Sequence, residues 1–207
     1  ERMAINGHPA RMMIDTGASC WLISDSFVDH YRIPRKTLPE PVLGIHEYIS
    51  AQCDIGQSES AGQRFSGPML VMKVPSGEKL AIDGFIGWNS FQDKWWNISW
   101  KERGVRFLSQ APFPQGSSYE IDKSWNACVV KGVTLTIGEH RWTEDLLVDT
   151  GFYGDLRVRG DLWREMESQV DQSDPVIQGM WNPVSGVTVN KTYVQKRLVF
   201  MGCEMID

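Results

Sequence analysis

Residues 12–20 read MMIDTGASC, an aspartate set between an apolar run and a glycine. The run Met12–Ile14 is typical of a buried strand, and Gly17 is typical of the turn that follows one. An aspartate at the end of a strand is either a structural turn residue or a catalytic carboxylate. One Asp-Thr-Gly triplet does not decide between the two, because about 1 in 25 chains of this length would contain it by chance.

A second triplet begins at Asp149, in the stretch LLVDTGFYGDL at 146–156. Two chance copies in one chain would be rarer than about 1 in several hundred. The surroundings repeat as well, since ARMMIDTGASCWLIS (10–24) and EDLLVDTGFYGDLRV (144–158) both read as an apolar strand, the triplet and a short alternating strand. The sequence therefore predicts a duplicated unit.

The elements around each triplet also correspond. SDSFVDHYR (24–32) predicts a helix capped by Ser24 or Asp25, and GDLWREMES (160–168) predicts one capped by Asp161. Upstream, Asn6-Gly7 and Gly138-Glu139 are hairpin signals between strands. Short alternating runs make the chain mainly β with a few short helices.

The segment between the copies is rich in Pro, Gly and Ser. It predicts a linker at 111–122, an amino-terminal lobe at 1–110 and a carboxy-terminal lobe at 123–207.

Composition excludes several classes of function. The net charge is −5 and there is no long basic run, so a nucleic-acid partner is not expected. No apolar run reaches a length of about 18 residues, which a membrane-spanning helix needs. The cysteines and histidines have no metal-site spacing, so no metal and no cofactor are expected. The four cysteines suit either one disulfide in each half or four buried free thiols. The location is unknown from the sequence, with a secreted or periplasmic one favoured because one disulfide in each half suits an oxidising compartment.

The paired triplets resemble those of the aspartic proteases, and Phe85-Ile86-Gly87 followed by WNSF (88–91) resembles the family's apolar-apolar-Gly element and its helix. The short lobes resemble retropepsins, whereas two triplets in one chain resemble the bilobal pepsin arrangement. The resemblance implies an acid-protease barrel fold with two lobes related by a pseudo-two-fold axis.

The resemblance also implies an aspartic endopeptidase acting on a peptide or protein substrate, with Asp15 and Asp149 as the catalytic pair. Thr16 and Thr150 would hydrogen-bond across the lobes. Gly17 and Gly151 would let backbone approach each carboxylate. Flap hairpins are expected within 44–56 and 179–191, with Tyr48 and Trp181 as candidates to cover substrate; ordinary packing is the alternative for both.

The second lobe departs from the family pattern. The triplets are 149 − 15 = 134 residues apart, so the counterpart of Gly87 would fall near position 87 + 134 = 221, beyond the 207 residues. The expectation is a truncated or abbreviated second lobe, which a complementing C-terminal segment would complete.

Two other functions fit parts of the pattern. One is a catalytically inactive peptide-binding relative that keeps the cleft. The other is a fragment of an actin-like phosphotransferase, whose Asp-x-Gly turns hold phosphates, although the long crossover helices of that fold are not indicated here.

Overall fold

The computed structural model describes residues 2–39, 49–54, 56, 58–60, 63–74, 81–99, 104–111, 118–151, 156–170, 176–182, 186–192, 197–200 and 203–206. Its strands are β1 (Arg2–Ile5), β2 (His8–Asp15), β3 (Leu22–Ser24), β4 (Arg35–Thr37), β5 (Ile49–Asp54), β6 (Ser58–Ser60), β7 (Gln63–Phe65), β8 (Pro68–Met72), β9 (Gly84–Gly87), β10 (Trp95–Ser99), β11 (Gly104–Leu108), β12 (Val129–Ile137), β13 (His140–Leu147), β14 (Val176–Asn182), β15 (Gly186–Thr192), β16 (Arg197–Phe200) and β17 (Cys203–Ile206). The helices are α1 (Asp25–His30) and α2 (Gly160–Met166), with 3₁₀ turns at Trp88–Ser90 and Glu167–Gln169. The prediction of a mainly β chain with a few short helices is confirmed. Within the described ranges, no helix is both long and apolar enough to cross a membrane.

The chain divides into two compact units. Unit 1 comprises Glu1–Phe113, Ser124–Cys128 and Asp149–Gly151, and unit 2 comprises Pro114–Lys123, Val129–Val148 and Phe152–Asp207. The second triplet therefore belongs to unit 1, although the strand that leads to it belongs to unit 2.

The sheet of unit 1 places β9 beside the strand that carries the first triplet. The strand order is β4-β5-β8-β3-β9-β2-β1-β6-β7. β9 runs parallel to β2 and antiparallel to β3, and its register sets Gly87 opposite Asp15. Because β9 has strands on both sides, all four of its residues are buried.

Two local predictions in unit 1 are confirmed. β1 and β2 form a hairpin through Asn6 and Gly7, whose φ angles of 50° and 81° suit a tight turn. α1 is capped by Ser24, whose Oγ accepts the N–H of Phe27 at 3.2 Å.

An aromatic cluster attaches the β10–β11 hairpin to the rest of unit 1. Phe91 stacks on Phe107 of β11 with ring centroids 5.9 Å apart, and it contacts Trp96 of β10 at 4.9 Å. Lys94 places its Nζ 4.3 Å from the ring centre of Phe65, a cation–π contact. The hairpin is therefore packed as part of the unit.

In unit 2 the described strands form a sheet of order β13-β12-β16-β17 and a β14–β15 hairpin. The hairpin predicted at Gly138-Glu139 joins β12 to β13, with Gly138 at φ 58°. A bulge interrupts the register between Val130 and Val133, where Gly132 adopts φ 63° and donates its N–H to Oδ1 of Asp145 at 2.9 Å.

The cap predicted for the second helix is wrong. α2 begins at Gly160 after an extended Arg159, so Asp161 lies inside the first turn. Backbone N–H groups, chiefly that of Leu162, hydrogen-bond its carboxylate and lower its pKa, and Arg159 forms an ion pair with it at 3.3 Å. A carboxylate in a first turn also satisfies exposed N–H groups, which is why the sequence pattern did not separate the two positions.

The strand predicted after the second triplet is wrong for residues 156–159, which have no regular secondary structure. The exposure of these residues nevertheless alternates, because Leu156 and Val158 pack against a core cluster. That cluster consists of Leu135, Ile137, Leu162 and Met166. Burial against α2 thus produces an alternating pattern without strand pairing.

The alternative of one disulfide in each half is wrong, because Cys20, Cys53 and Cys128 are all free. Cys53 and Cys128 are buried, as the other alternative expects, whereas Cys20 is only partly buried. Burial raises the pKa of the Cys128 thiol to about 11, which makes it a weak nucleophile.

Candidate active site

Asp15 lies at the end of β2, where the backbone of the following turn surrounds its carboxylate. The N–H groups of Gly17 and Ala18 donate to its Oδ1 at 3.0 and 2.9 Å. The N–H of Ala18 also reaches the carbonyl oxygen of Asp15 at 3.2 Å, which closes the turn. The triplet is therefore a turn that fixes the position of one carboxylate oxygen.

β9 and the 3₁₀ turn after it hold this loop from the other side. A Cβ on Gly87 would lie 2.3 Å from the carbonyl oxygen of Cys20, so only glycine allows this approach of the two backbones. The N–H of Trp88 donates to the carbonyl oxygen of Ala18 at 2.7 Å. The apolar-apolar-Gly element thus contacts the loop that carries Asp15.

The second triplet, Asp149–Gly151, contacts the first through reciprocal threonine bonds. The N–H of Thr16 donates to Oγ1 of Thr150 at 3.2 Å, and the N–H of Thr150 donates to Oγ1 of Thr16 at 3.1 Å. The Thr150 hydroxyl also donates to the carbonyl oxygen of Ile14 at 2.6 Å. Thr16 is fully buried, so these bonds are shielded from water.

The two glycines bring each carboxylate against the opposite loop. A Cβ on Gly17 would lie 2.5 Å from Cγ of Asp149, and a Cβ on Gly151 would lie 2.6 Å from Cγ of Asp15. A side chain at either glycine would therefore force the opposite carboxyl to move. Gly151 also donates its N–H to Oδ1 of Asp149 at 2.8 Å, which matches the bond from Gly17 to Asp15.

The site favours a proton on Asp15. Burial raises the pKa of its carboxyl most, followed by the charge of Asp149 and a side-chain hydrogen bond with Asp149; together these bring it from 3.8 to about 6. The N–H groups of Ala18 and Gly17 act in the opposite direction, because they stabilise the ionised form. Asp15 therefore keeps its proton to a higher pH than an exposed aspartate does.

The structure thus brings six of the predicted site residues together: Asp15, Thr16, Gly17, Asp149, Thr150 and Gly151. Tyr48 lies outside the described residues. Trp181 lies in β14 opposite Val187 of β15, in a hairpin as expected for its segment.

One contact of the site was missed in the sequence. The N–H of Cys128 donates to the carbonyl oxygen of Thr16 at 3.2 Å, from the segment Ser124–Cys128 that also belongs to unit 1. A backbone donor carries no side-chain signal, so no sequence pattern could have indicated it. In the described part of the chain, no three or more His, Cys, Asp or Glu side chains are grouped to hold a metal ion.

The first part of the chain is similar to a known family. Residues 2–89 match the aspartyl protease family model. The match includes the first triplet and Gly87, and it ends before the second triplet. No curated protein sequence matches the chain.

Among solved structures, the retroviral protease-like domain of Ddi1 from Leishmania major is similar over 55% of this chain and 95% of that domain. The sequence identity is 16% and the TM-score is 0.33.

Proposed function

We propose that the chain is an aspartic endopeptidase that hydrolyses peptide bonds with a water molecule held between Asp15 and Asp149. The proposal rests on one observation: the carboxyl of each aspartate lies against the glycine of the other triplet, which brings the two carboxyls close together. The match of residues 2–89 to aspartyl proteases supports the reaction class.

The chemistry needs one proton on the pair, an arrangement for which aspartic proteases are the standard example. The ionised carboxylate takes a proton from water, whose oxygen bonds to the peptide carbonyl carbon. The protonated carboxyl gives its proton to the carbonyl oxygen, forming a tetrahedral diol. The carboxyl that took the water's proton then protonates the departing amine as the C–N bond breaks. The diol oxygen returns a proton to the other carboxyl, which restores the pair.

The internal repeat supports a finer proposal, that each copy supplies one aspartate as in a bilobal, two-triplet enzyme. In this arrangement Thr16 and Thr150 position the two loops and take no part in proton transfer. Tyr48 and Trp181 are proposed to cover a bound peptide from the flap segments. The substrate is proposed to be an extended peptide with apolar residues on both sides of the cut.

The test is cleavage of a denatured protein by the chain and by Asp15→Asn and Asp149→Asn, with and without pepstatin. Each substitution should reduce the cleavage rate by at least about 10³-fold. The double variant should cleave no more slowly than either single variant, because residues that act as one catalytic unit have non-additive effects on the rate. Asp93→Asn, at an exposed aspartate, is the matched control and should cleave normally.

The pH profile is a second readout of the same proposal. Cleavage by the wild-type chain should decline above about pH 6, because the pair then loses the proton that the carbonyl oxygen requires. Near-normal cleavage by either Asn variant would show that the water is activated elsewhere. Binding of pepstatin without cleavage at any pH would indicate the inactive peptide-binding relative instead.

A further inference from the structure

β13, the strand that leads to the second triplet, lies at the edge of its sheet. Among the described residues β12 is its sheet neighbour, and the order β13-β12-β16-β17 leaves its other side open. Leu147 near its end is 50% exposed, which is high for a large apolar residue in a strand. An open edge presents backbone N–H and C=O groups that can pair with another chain.

The corresponding strand of the first repeat has no such edge. β2 has β1 on one side and β9 on the other, with Met13 opposite Phe85. Asp83, just before β9, fixes the start of the β2–β9 pairing with two hydrogen bonds to Arg11. Its N–H donates to the carbonyl oxygen of Arg11, and its Oδ2 accepts the N–H of Arg11, both at 2.7 Å. With the 134-residue offset, Met13 corresponds to Leu147 (13 + 134 = 147).

We propose that the open edge of β13 (Asp145–Leu147) binds an extended peptide segment with two adjacent apolar residues. The segment would run parallel to β13, as β9 runs parallel to β2, and its apolar side chains would cover Leu147. When a peptide adds to a sheet edge in this way, backbone hydrogen bonds provide the affinity and every second side chain provides the specificity.

The sequence of β9 defines the chemistry of the ligand. Gly84 and Gly87 pack so closely that a Cβ would lie 2.2 Å from the carbonyl oxygen of Leu22 and 2.3 Å from that of Cys20. The two residues between them, Phe85 and Ile86, are both buried. Those two oxygens belong to the chain that follows the first triplet, whereas the apolar pair faces β2, where Met13 lies opposite Phe85. A ligand for the β13 edge should therefore have two adjacent apolar residues with no charge among them.

The probe is a synthetic peptide with the sequence of residues 83–91, DGFIGWNSF, added to the full chain carrying Asp15→Asn so that no cleavage occurs. At a peptide concentration about ten times its Kd, hydrogen exchange at 145–147 should slow by about tenfold, because exchange from the bound fraction is suppressed. The matched control is the same peptide with Ile86→Pro, which lacks a backbone donor and should give no protection.

A second pair of variants tests the location. Leu147→Lys, at a half-exposed side chain, should fold normally by circular dichroism and lose the protection. Trp125→Lys, at a Trp that is 62% exposed in unit 1, should keep it. No protection at saturating peptide, or protection that persists with the proline peptide or with Leu147→Lys, would overturn the proposal. Since exchange and not proteolysis is measured, the outcome is independent of whether the chain cleaves peptides.

Discussion

Asp15 occupies a position that is unfavourable for its ionised form. At neutral pH the carboxyl is ionised in both the folded and the unfolded chain, but only in the folded chain is it half-buried and next to Asp149. The raised pKa therefore lowers stability as pH rises from about 4 to about 6, and the loss is complete above that range. The burial of Asp15 beside Asp149 therefore costs stability at neutral pH.

This sign leads to a prediction for Asp149→Asn. The change removes a neighbouring charge and keeps an oxygen for the N–H of Gly151, so the pKa of Asp15 should fall and the folded chain should gain stability at pH 7. The gain should be about 1 kcal/mol, since a pKa unit is about 1.4 kcal/mol and solvent screens a half-buried pair. Urea unfolding at pH 7 and at pH 3.5 measures it.

The pH dependence is the control for this prediction. Below about pH 4 Asp15 is protonated in both states, so the advantage of Asp149→Asn should vanish there. Asp93→Asn should change stability at neither pH. A gain that is equal at both pH values would have another cause than the raised pKa of Asp15.

At the scale of elements, β9 is the strand whose fit to its neighbours holds the first triplet. Gly87→Ala should destabilise the chain by about 2–3 kcal/mol, because the added methyl group would meet the backbone of Cys20 and not a side chain that could move. Gly160→Ala is the matched control: nothing lies within 4 Å of its Cβ, and the residue begins α2. It should leave stability unchanged or raise it by up to about 1 kcal/mol. Equal effects of the two changes in thermal unfolding would contradict the close fit of β9.

The elements that the sequence predicted are those with local signals. The turn at Asn6-Gly7 and the cap at Ser24 depend on residues within four positions of each other, so pattern and structure agree. The predicted start of α2 is wrong because an aspartate such as Asp161 suits both the capping position and the first turn of a helix. The bond from Cys128 to Thr16 and the bulge at Gly132 depend on partners distant in the chain, which no local pattern encodes.

At the scale of the whole molecule, the contacts between the two triplets are reciprocal. Each threonine N–H bonds to the hydroxyl of the other threonine, and each glycine faces the aspartate of the other triplet. Contacts in which residue i meets j and j meets i are those of a two-fold interface. A second copy of residues 15–17 therefore offers the same groups that residues 149–151 supply.

We therefore predict that a fragment of residues 1–111, which lacks the second triplet, associates into homodimers. Without a partner its buried Thr16 would lose its bonds to Thr150, and pairing with a second fragment would restore them. The mass from sedimentation equilibrium should rise toward twice the monomer mass with increasing concentration. Thr16→Val keeps the shape but removes the hydroxyl, so it should weaken the dimer by at least about tenfold, since each of the two lost bonds contributes about 1 kcal/mol. A monomeric fragment at all concentrations, or a dimer indifferent to Thr16→Val, would show that the second triplet supplies something its first copy cannot.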